Sequence, residues 1–316
     1  MIGVAGAGAF GTALAVALAA GGRDVRLWAR NPAQRQEMRQ ARLNARLPGI
    51  GLPDNIEVVD KVGDLAPGPV LLAVPAQALR GFLQDEGRAL LDSDLVACCK
   101  GIDLQTLTGP AEIIRRAGAR GAIAVLSGPG FAADLARGLP TALTLACDGA
   151  AAAGLQHILS TERLRLYRTN DVMGAQLGGA LKNVIAIAAG VAIGAGLGNS
   201  ARAAVITRGY AEMLPLAVAL GARPETLAGL SGLGDLVLTC TSEMSRNFSH
   251  GMAMGAGRET KATTVEGVAT AGAVMRLAAE YGLDLPILDM VARLVADRIT
   301  VDEAVRELMT RPLREE

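Results

Sequence analysis

One charged residue interrupts an apolar stretch in the second half of the chain. The sequence GGALKNVIAIAAGVAIGAG, residues 178–196, is built of small and apolar residues apart from Lys182 near its start and the neighbouring Asn183. A lysine flanked by Ala, Leu and Ile on a helix loses hydration, which disfavours its ammonium form and lowers its pKa toward neutral pH. Such an amine can donate and accept protons. The alternative is a lysine whose head group reaches water while its stem lies on apolar surface.

A glycine-rich segment near the amino terminus has the spacing of a dinucleotide-binding loop. In VAGAGAFGTALA, Gly6, Gly8 and Gly11 form G-x-G-x-x-G directly after a predicted strand and at the start of a predicted helix. The first glycine permits a tight turn, the second lets a pyrophosphate approach, and the third lets the helix pack on the strand. The helix N-terminus then faces the phosphates. A tight turn without a ligand is the alternative.

Arg30 indicates which dinucleotide is preferred. It follows the second predicted strand in VRLWARNP, where folds that prefer NAD usually carry an acidic residue for the ribose 2′-hydroxyl. An arginine suits a 2′-phosphate, so the sequence predicts a preference for NADP(H) while NAD(H) is still accepted. An ordinary solvated arginine before a helix is the alternative.

Three further segments carry groups that suit a small phosphorylated substrate. CCKGI places Lys100 after a predicted strand, SGPGFA (127–132) offers backbone amides, and LSGLGDLVLTCTSEMSRN (230–247) is rich in polar side chains. Cations, hydroxyls and amides together recognise phosphate esters. The polar residues singled out in the third segment are Asp235, Ser245, Arg246 and Asn247. Each segment alone also fits an ordinary cap or turn.

Short apolar strands alternate with helical segments in the first half, which predicts an α/β Rossmann-type domain over residues 1–168 with a parallel sheet covered on both faces. Helices are predicted between strands, for instance over Thr12–Ala20 and Pro32–Arg46. The predicted strands are Ile2–Ala5, Val25–Ala29, Val70–Val74, Leu95–Cys98, Ile123–Leu126, Ala142–Ala146 and Leu164–Arg168. Gly3 lies inside the first strand, where glycine is unfavourable and nothing in the sequence accounts for it.

Residues 169–316 predict a second, all-α domain. Helix-start residues appear at 169–171, and Pro224 begins a further helix. Gly221 and Gly282 end helices, and TVDE gives Thr300 and Glu303 the spacing of a capping box.

Composition excludes several classes of protein. The 316 residues are 51% hydrophobic, and 31 Lys and Arg balance 31 Asp and Glu. A balanced charge lacks the basic surface that neutralises nucleic-acid phosphates, so a small-molecule substrate and no nucleic acid are expected. The cysteines lack metal-ligand spacing and there are two histidines, so we predict no metal site and no serine–histidine triad. Buried thiols in a reducing compartment are the favoured interpretation.

The chain begins MIGVAGAG with a strand from its second residue, which leaves no space for a signal peptide, so a cytoplasmic location is expected. The apolar run over 184–197 falls short of the ~20 residues of a spanning helix, which predicts a buried core helix and no membrane span. A homodimer is expected, because dimers are the commonest closed oligomers and the apolar second domain could supply an interface.

The chain resembles the bacterial NAD(P)-dependent glycerol-3-phosphate dehydrogenase family nearly from end to end. The order of eight segments carries the resemblance: GAGAFGTALA, LWAR, CCKGI, LSGPGFAADLARGLPTAL, GALKNVIAIAAGVAIGAGLGNSARAA, LSGLGDLVLTCTS, SRN and TVEGV. It implies an all-α second domain like the C-terminal domain of 6-phosphogluconate dehydrogenase. It also implies reversible reduction of dihydroxyacetone phosphate to sn-glycerol 3-phosphate for phospholipid synthesis, with hydride transfer at C2 and no metal.

The same resemblance assigns the site residues. Lys182 becomes the catalytic proton donor in reduction and the acceptor in oxidation, and Asp235 also orients it. Substrate contacts are implied for Lys100, Gly128, Lys182, Asp235, Ser245, Arg246 and Asn247. Cofactor contacts are implied for Gly6, Gly8, Ala9, Phe10, Gly11, Arg30, Lys100, Ala132, Arg246, Thr264 and Glu266. Gly130 departs from the family, which commonly has Ser or Thr there, so a hydroxyl contact is lost and backbone amides would replace it.

Two rival functions remain at the level of sequence. A ketopantoate-type or 3-hydroxyacid-type reductase shares the glycine loop and a catalytic lysine, but it needs a carboxylate clamp, whereas the SRN segment (245–247) favours phosphate. A dinucleotide-sensing regulator would have lost the chemistry, and the retention of Lys182, Asp235 and Arg246 argues against it.

Overall fold

The computed structural model describes residues 1–259 and 265–310. Eight strands form one sheet in the order β3-β2-β1-β4-β5-β6-β7-β8. They are β1 (Ile2–Ala5), β2 (Val25–Trp28), β3 (Ile56–Val58), β4 (Val70–Leu72), β5 (Leu95–Ala97), β6 (Ile123–Ser127), β7 (Thr141–Cys147) and β8 (Leu164–Thr169). Central strands are buried along their length, as in sheets covered by helices on both faces. The predicted α/β Rossmann-type fold is confirmed.

The sheet differs from the sequence prediction at two strands. The pattern does not predict β3, because this three-residue strand has an exposed Glu57 between two buried residues and gives too short a signal. The sheet is also not wholly parallel, since β7 runs antiparallel to β6. The connection between them holds only α5 (Ala132–Ala136), and five residues of helix rise about 7.5 Å. That is too short to return the chain to the start of a parallel strand.

The other helices of the first half are α1 (Ala9–Ala20), α2 (Pro32–Ala41), α3 (Ala76–Gln84), α4 (Pro110–Arg116) and α6 (Ala151–Leu159). The prediction of a helix to Arg46 is wrong, because Arg42 adopts a left-handed conformation with φ of 52° and ends α2.

The structure explains the glycine inside β1. A Cβ at Gly3 would lie 2.7 Å from the carbonyl oxygen of Leu65, so a glycine lets the turn at Val62–Leu65 pack on the strand.

The second half is helical, as predicted. Its helices are α7 (Val172–Gly194), α8 (Gly198–Ala219), α9 (Pro224–Ala228), α10 (Asp235–Cys240), α11 (Arg246–Gly255), α12 (Glu266–Glu280), α13 (Pro286–Val295) and α14 (Val301–Met309). A π-helical turn, Leu230–Gly234, precedes α10. Asp171 caps α7 and accepts a hydrogen bond from the Gly174 amide at 2.8 Å. Thr300 and Glu303 form the predicted capping box. The domain division after residue 168 stays a prediction.

Helix α7 forms the centre of the second half. It has 23 residues and is long and apolar enough to cross a membrane. The prediction that the apolar run, 184–197, is too short to span a membrane is therefore wrong for the helix that contains it. Burial decides the matter, because 89% of its most apolar window lies inside the structure. Helix α7 is a buried core helix around which α8, α10, α11 and α12 pack.

Candidate functional site

Two lysines meet one carboxylate where the sheet joins the helical half. Lys182, on the third turn of α7, places its Nζ 2.7 Å from Oδ1 of Asp235, and Lys100, just after β5, places its Nζ 2.5 Å from Oδ2 of the same residue. The Lys182 ammonium also donates to the hydroxyl of Thr239 at 2.6 Å. The Lys100 ammonium donates to the carbonyl oxygen of Gly128 at 3.0 Å. We call Lys100, Lys182, Asp235 and Thr239 the lysine–aspartate cluster.

Burial and charge set the protonation of this cluster. Lys182 is 7% exposed and Asp235 is 1% exposed. Burial and the neighbouring Lys100 charge lower the pKa of Lys182, and the Asp235 carboxylate raises it. Burial has the largest effect, and the resulting pKa is about 8. For Asp235, burial alone would raise the pKa, but the two ammonium groups outweigh it and hold the pKa below its usual range. In this cluster the Asp235 carboxyl therefore stays ionised, and the Lys182 amine gains or loses its proton near pH 8.

A hydrogen-bonded amide chain joins α7 to the other helices of the site. Asn183 donates through Nδ2 to the carbonyl oxygens of Lys100 at 3.5 Å and Gly179 at 3.3 Å. Its Oδ1 accepts from Asn247 Nδ2 at 2.9 Å, and Asn247 Oδ1 accepts from the Gly267 amide at 2.9 Å. The chain fixes the N-terminal ends of α11 and α12 beside the lysine–aspartate cluster.

The N-terminal end of α11 carries the three predicted phosphate contacts. Ser245 caps this helix, since its Oγ accepts from the Phe248 amide at 3.2 Å, and Asn247 is buried in the amide chain. Arg246 is exposed between them. Glu266 begins α12, and its pKa is raised by burial against the charges of Arg246, Lys100 and Lys182, which places this carboxyl in the same electrostatic environment.

Glycines on two helices make this geometry possible. A Cβ at Gly190 or Gly194 on α7 would overlap backbone atoms of α11, and a Cβ at Gly251 or Gly255 on α11 would overlap backbone carbonyls of α7. Small residues four apart on both helices let the two backbones approach closely. One turn before Lys182, a Cβ at Gly179 would lie 2.5 Å from Ser127 Oγ, so α7 also packs tightly on the end of β6.

The glycine loop has the geometry of a dinucleotide cradle. Gly6 has φ of 112°, a conformation that side chains other than glycine rarely adopt. A Cβ at Gly11 would overlap the Gly6 carbonyl oxygen. A Cβ at Gly8, by contrast, would meet no protein atom within 4 Å, so the turn before α1 is open to a ligand. Ala9 is the first residue of α1. These residues fit a pyrophosphate at the N-terminus of α1.

Phe10 links this loop to the lysine–aspartate cluster. The Lys100 ammonium lies 5.9 Å from the centre of the Phe10 ring. Phe10 and Ala132, the first residue of α5, both pack partly buried against the core on the same face of the sheet. The structure thus brings Phe10, a predicted cofactor contact, beside Lys100, which is predicted to contact both cofactor and substrate.

Arg30 lies apart, beyond the end of β2. It is exposed and lines a cleft of about 440 Å³ together with Trp28, Arg35 and Lys61. The Arg35 guanidinium is held by Asp60, whereas the Arg30 side chain has no hydrogen bond or ion pair within residues 1–259 and 265–310. Arg30 is therefore available to an anionic ligand.

Two predicted positions have other outcomes. Thr264 lies outside the residues that the structure describes. Gly130 has little spare room, because a Cβ there would lie 3.3 Å from Thr141 Cγ2 and 3.4 Å from Leu143 Cδ2. A Ser or Thr at 130 would therefore need a small shift of the Thr141 and Leu143 side chains. No group of three metal-ligating side chains occurs within residues 1–259 and 265–310.

Sequence reasoning did not single out Thr239 or Asn183. Thr239 lies four residues after Asp235, which is one helical turn and puts both side chains on one face of α10. That spacing is the signal that would have found Thr239. Asn183 follows Lys182 and faces the amide chain, and only the packing of α11 on α7 reveals its partner.

Comparisons with known proteins identify the family of this chain. A family model described as the N-terminus of NAD-dependent glycerol-3-phosphate dehydrogenase matches residues 1–153, and one for the C-terminus matches residues 171–306. The chain is 59% identical to glycerol-3-phosphate dehydrogenase [NAD(P)+] of Paracoccus denitrificans (strain Pd 1222), covering 100% of this chain and 99% of the relative. It is 58% identical to the enzyme of the same description from Cereibacter sphaeroides, covering all of both chains.

A solved structure shows the same architecture. Glycerol-3-phosphate dehydrogenase from Coxiella burnetii superposes with a TM-score of 0.93 at 34% identity, covering 98% of each chain. The two family models together span most of this chain, and the relatives match it over its full length. This chain therefore belongs to the NAD-dependent glycerol-3-phosphate dehydrogenase family.

Proposed function

We propose that this protein reduces dihydroxyacetone phosphate reversibly to sn-glycerol 3-phosphate with NAD(P)H and so supplies glycerophospholipid synthesis. The observation that carries the proposal is the buried contact of Lys182 and Lys100 with Asp235, next to an open glycine loop. The family and the full-length relatives support the same activity.

Lys182 is the proton-transfer group in this proposal. Its pKa of about 8 keeps it mostly protonated at neutral pH, so it can donate to the oxygen that forms at C2 of the substrate during reduction. In the oxidative direction the neutral amine accepts that proton. Asp235 and Thr239 hydrogen-bond Nζ at 2.7 and 2.6 Å, which fixes the position of the amine from which the proton is transferred. A fixed donor removes much of the entropic cost of reaching the reactive geometry.

The remaining polar groups hold the substrate. Lys100 supplies a second positive charge beside the reacting oxygen and stabilises negative charge as it develops. The exposed Arg246 and the hydroxyl of Ser245 at the N-terminal end of α11 bind the phosphate, with Asn247 fixing that helix end. Gly128 contributes backbone groups, since its carbonyl oxygen already orients Lys100.

The chain has a site that fits a nicotinamide dinucleotide. Gly6, Gly8, Ala9 and Gly11 would hold its pyrophosphate at the N-terminus of α1. Phe10, Lys100, Ala132, Arg246 and Glu266 are further contacts in this proposal. Phe10 lies beside Lys100, and Arg246 and Lys100 act electrostatically on Glu266, which supports them. Thr264 stays a predicted contact. When bound, the dinucleotide supplies the hydride for C2 of the substrate.

Arg30 supports a preference for NADP(H) over NAD(H). It is exposed at the end of β2, without a protein partner in the described ranges. The cleft that it lines also contains Lys61 and Arg35 on the positive side and Asp60 and Glu86 on the negative side, and Asp60 is already paired with Arg35 and Arg39. A 2′-phosphate there would gain charge-assisted hydrogen bonds that a 2′-hydroxyl cannot match in strength.

Assembly and location remain predictions. A homodimer would bury the large apolar side chains that the helical half exposes, among them Val218 and Tyr281. Light scattering would then give about twice the 32.4 kDa of one chain. A cytoplasmic location agrees with the four buried thiols, which fit a reducing compartment.

A direct assay tests the proposal. Purified protein is mixed with NADPH or NADH and either dihydroxyacetone phosphate or ketopantoate, and oxidation is followed at the reduced-nicotinamide absorbance band. We expect rapid oxidation with dihydroxyacetone phosphate, faster with NADPH, and none with ketopantoate. Turnover of ketopantoate alone would assign another reductase. Absence of turnover in protein that binds NADPH would favour the dinucleotide-sensing alternative.

A further inference from the structure

A second cavity lies on the sheet half and shares no side chain with the lysine–aspartate cluster or the glycine loop. It encloses about 370 Å³ between α3, the turn Glu86–Leu90, α4 and the loop that follows Lys100. Sites for small organic molecules usually measure roughly 300–1,000 Å³. Its charged lining consists of Arg80, Arg88 and Arg116.

Two of the three guanidinium groups in this arginine cavity make no hydrogen bond with the residues that the structure describes: that of Arg80, whose Nε is buried, and that of Arg88, which is exposed. The Arg88 side chain has no hydrogen bond or ion pair with the residues that the structure describes. Arg80 Nε is buried without a hydrogen-bond partner, and the Asp103 carboxylate oxygen lies 3.6 Å from it. Arg116 alone has a close partner, since its Nε lies 2.8 Å from Glu112. A buried donor without an acceptor is costly, so a ligand oxygen that reaches it gains free energy.

The rest of the lining is uncharged and partly apolar. Leu83 and Ile113 form the floor, and Thr106 contributes a hydroxyl. None of the described residues that line the cavity is acidic. Several arginines in one cavity suit a phosphate dianion, because each guanidinium offers a fork of donors. The apolar floor suits a hydrocarbon chain. We propose that the arginine cavity binds an organic phosphate monoester that carries a short apolar chain.

The cavity also adjoins the loop that begins at Lys100. Thr106 lines the cavity and donates through its amide to Asp103 Oδ1 at 2.8 Å. The same loop is tied to α3 by Gln77, whose side chain bonds the Ile102 carbonyl oxygen at 2.7 Å and the Leu104 amide at 3.1 Å. We therefore expect a ligand between α3 and this loop to shift the loop that carries Lys100. This coupling rests on the proposed function, whereas binding itself does not.

Calorimetric titration of the full chain with hexyl phosphate tests the site. We expect saturable binding to wild type that is about tenfold weaker in Arg88→Glu, because a repulsive charge replaces an attractive one. Arg163→Glu is the matched control, since it makes the same charge change at an exposed position just before β8, outside the cavity lining, and it should bind as wild type does. Arg246→Ala should also keep the affinity, because it alters only the proposed substrate clamp. Inorganic phosphate and hexanol should each bind more weakly than hexyl phosphate.

Other outcomes overturn the assignment. Equal affinity of wild type and Arg88→Glu, or loss of binding in Arg246→Ala instead, would place hexyl phosphate elsewhere. Equal affinity for inorganic phosphate would reject the apolar part of the ligand class. Circular dichroism checks folding, and Arg88→Gln, which keeps the size of the side chain, should weaken binding less than Arg88→Glu.

A kinetic measurement tests the coupling. Saturating hexyl phosphate should change kcat/KM for dihydroxyacetone phosphate in wild type and in Arg163→Glu, but not in Arg88→Glu. The same effect in all three proteins would mean competition at the substrate clamp and would reject the coupling. If the protein lacks this turnover, the calorimetric comparison still decides whether the cavity binds the ligand.

Discussion

At the scale of single residues, the site depends on opposing effects at Lys182. Burial removes water from the ammonium and lowers its pKa, while the Asp235 carboxylate restores part of the stabilisation. Neither effect alone gives a useful proton donor. Without Asp235 the pKa of the amine would fall further, and without burial it would stay near its usual, higher value. The lysine–aspartate cluster is therefore a tuned pair with a second cation, Lys100, attached to the same carboxylate.

Removal of Lys182 should abolish proton transfer and spare the cofactor. We expect Lys182→Ala to lower kcat by roughly 10²–10⁴-fold, the usual contribution of a positioned acid, with the NADPH dissociation constant largely unchanged. Steady-state kinetics and NADPH fluorescence titration measure the two effects. Lys182→Arg is the control, because arginine keeps the charge but does not release a proton, and it should be similarly slow. Near wild-type turnover in Lys182→Ala would contradict the role.

The pH dependence of turnover follows from the Lys182 pKa. Reduction needs the ammonium, so its kcat should fall as pH rises through about 8, and oxidation needs the neutral amine, so its kcat should rise there. Asp235→Asn removes the charge that favours the ammonium and should move the alkaline limit of reduction to lower pH. Asp54→Asn, an exposed substitution on the sheet half, should leave it in place. An unmoved limit in Asp235→Asn would show that another group titrates.

Arg30 tests the cofactor preference. Arg30→Asp should lower the ratio of kcat/KM for NADPH to that for NADH, because a carboxylate repels a 2′-phosphate and accepts from a 2′-hydroxyl. Arg163→Asp makes the same charge change just before β8, at the opposite edge of the sheet, and should leave the ratio as it is. A ratio that responds equally to both substitutions would reflect overall charge rather than contact.

At the scale of elements, the crossing of α7 and α11 positions the phosphate clamp. Four glycines replace side chains at the contact, so the backbone of α11 lies against that of α7 and the Ser245–Asn247 end reaches the lysine–aspartate cluster. Glycine is unfavourable inside helices, which indicates that close approach is what these positions provide.

Gly190→Ala should separate the two helices. Its Cβ would overlap the Phe248 carbonyl oxygen, so α11 must shift, with a loss of about 1–3 kcal/mol in the free energy of unfolding and a higher KM for dihydroxyacetone phosphate. Gly272→Ala on α12 is the control, since its Cβ meets open space and alanine favours the helix. Thermal unfolding and steady-state kinetics measure both. Equal stability and KM in the two variants would contradict the packing argument.

At the scale of the whole molecule, buried contacts join the sheet half to the helical half. The Lys100–Asp235 ion pair crosses between them, and the Gln176 side chain accepts from the Ala111 amide at 3.3 Å. Ala175, near the start of α7, belongs to the same apolar cluster as β4 and β5. The site therefore exists only when both halves are folded and in contact.

This coupling predicts one thermal transition for the chain. Scanning calorimetry should give a single peak, although chains of two domains often unfold in steps. NADPH at about 100 times its dissociation constant should stabilise the whole chain by about 2.7 kcal/mol and move the peak up without splitting it. Two peaks of which NADPH moves only one would show that the halves unfold independently.

Local features of this protein follow from short stretches of its sequence. The glycine spacing, the buried lysine run and the caps at Asp171 and Thr300 act over a few residues, so their patterns predict them and the Rossmann-type fold. Long-range packing decided the rest: the antiparallel β7, the short edge strand β3 and the approach of Lys100 to the same carboxylate that holds Lys182. These features depend on groups far apart in the chain, such as Lys100 and Asp235, which pack together only after folding.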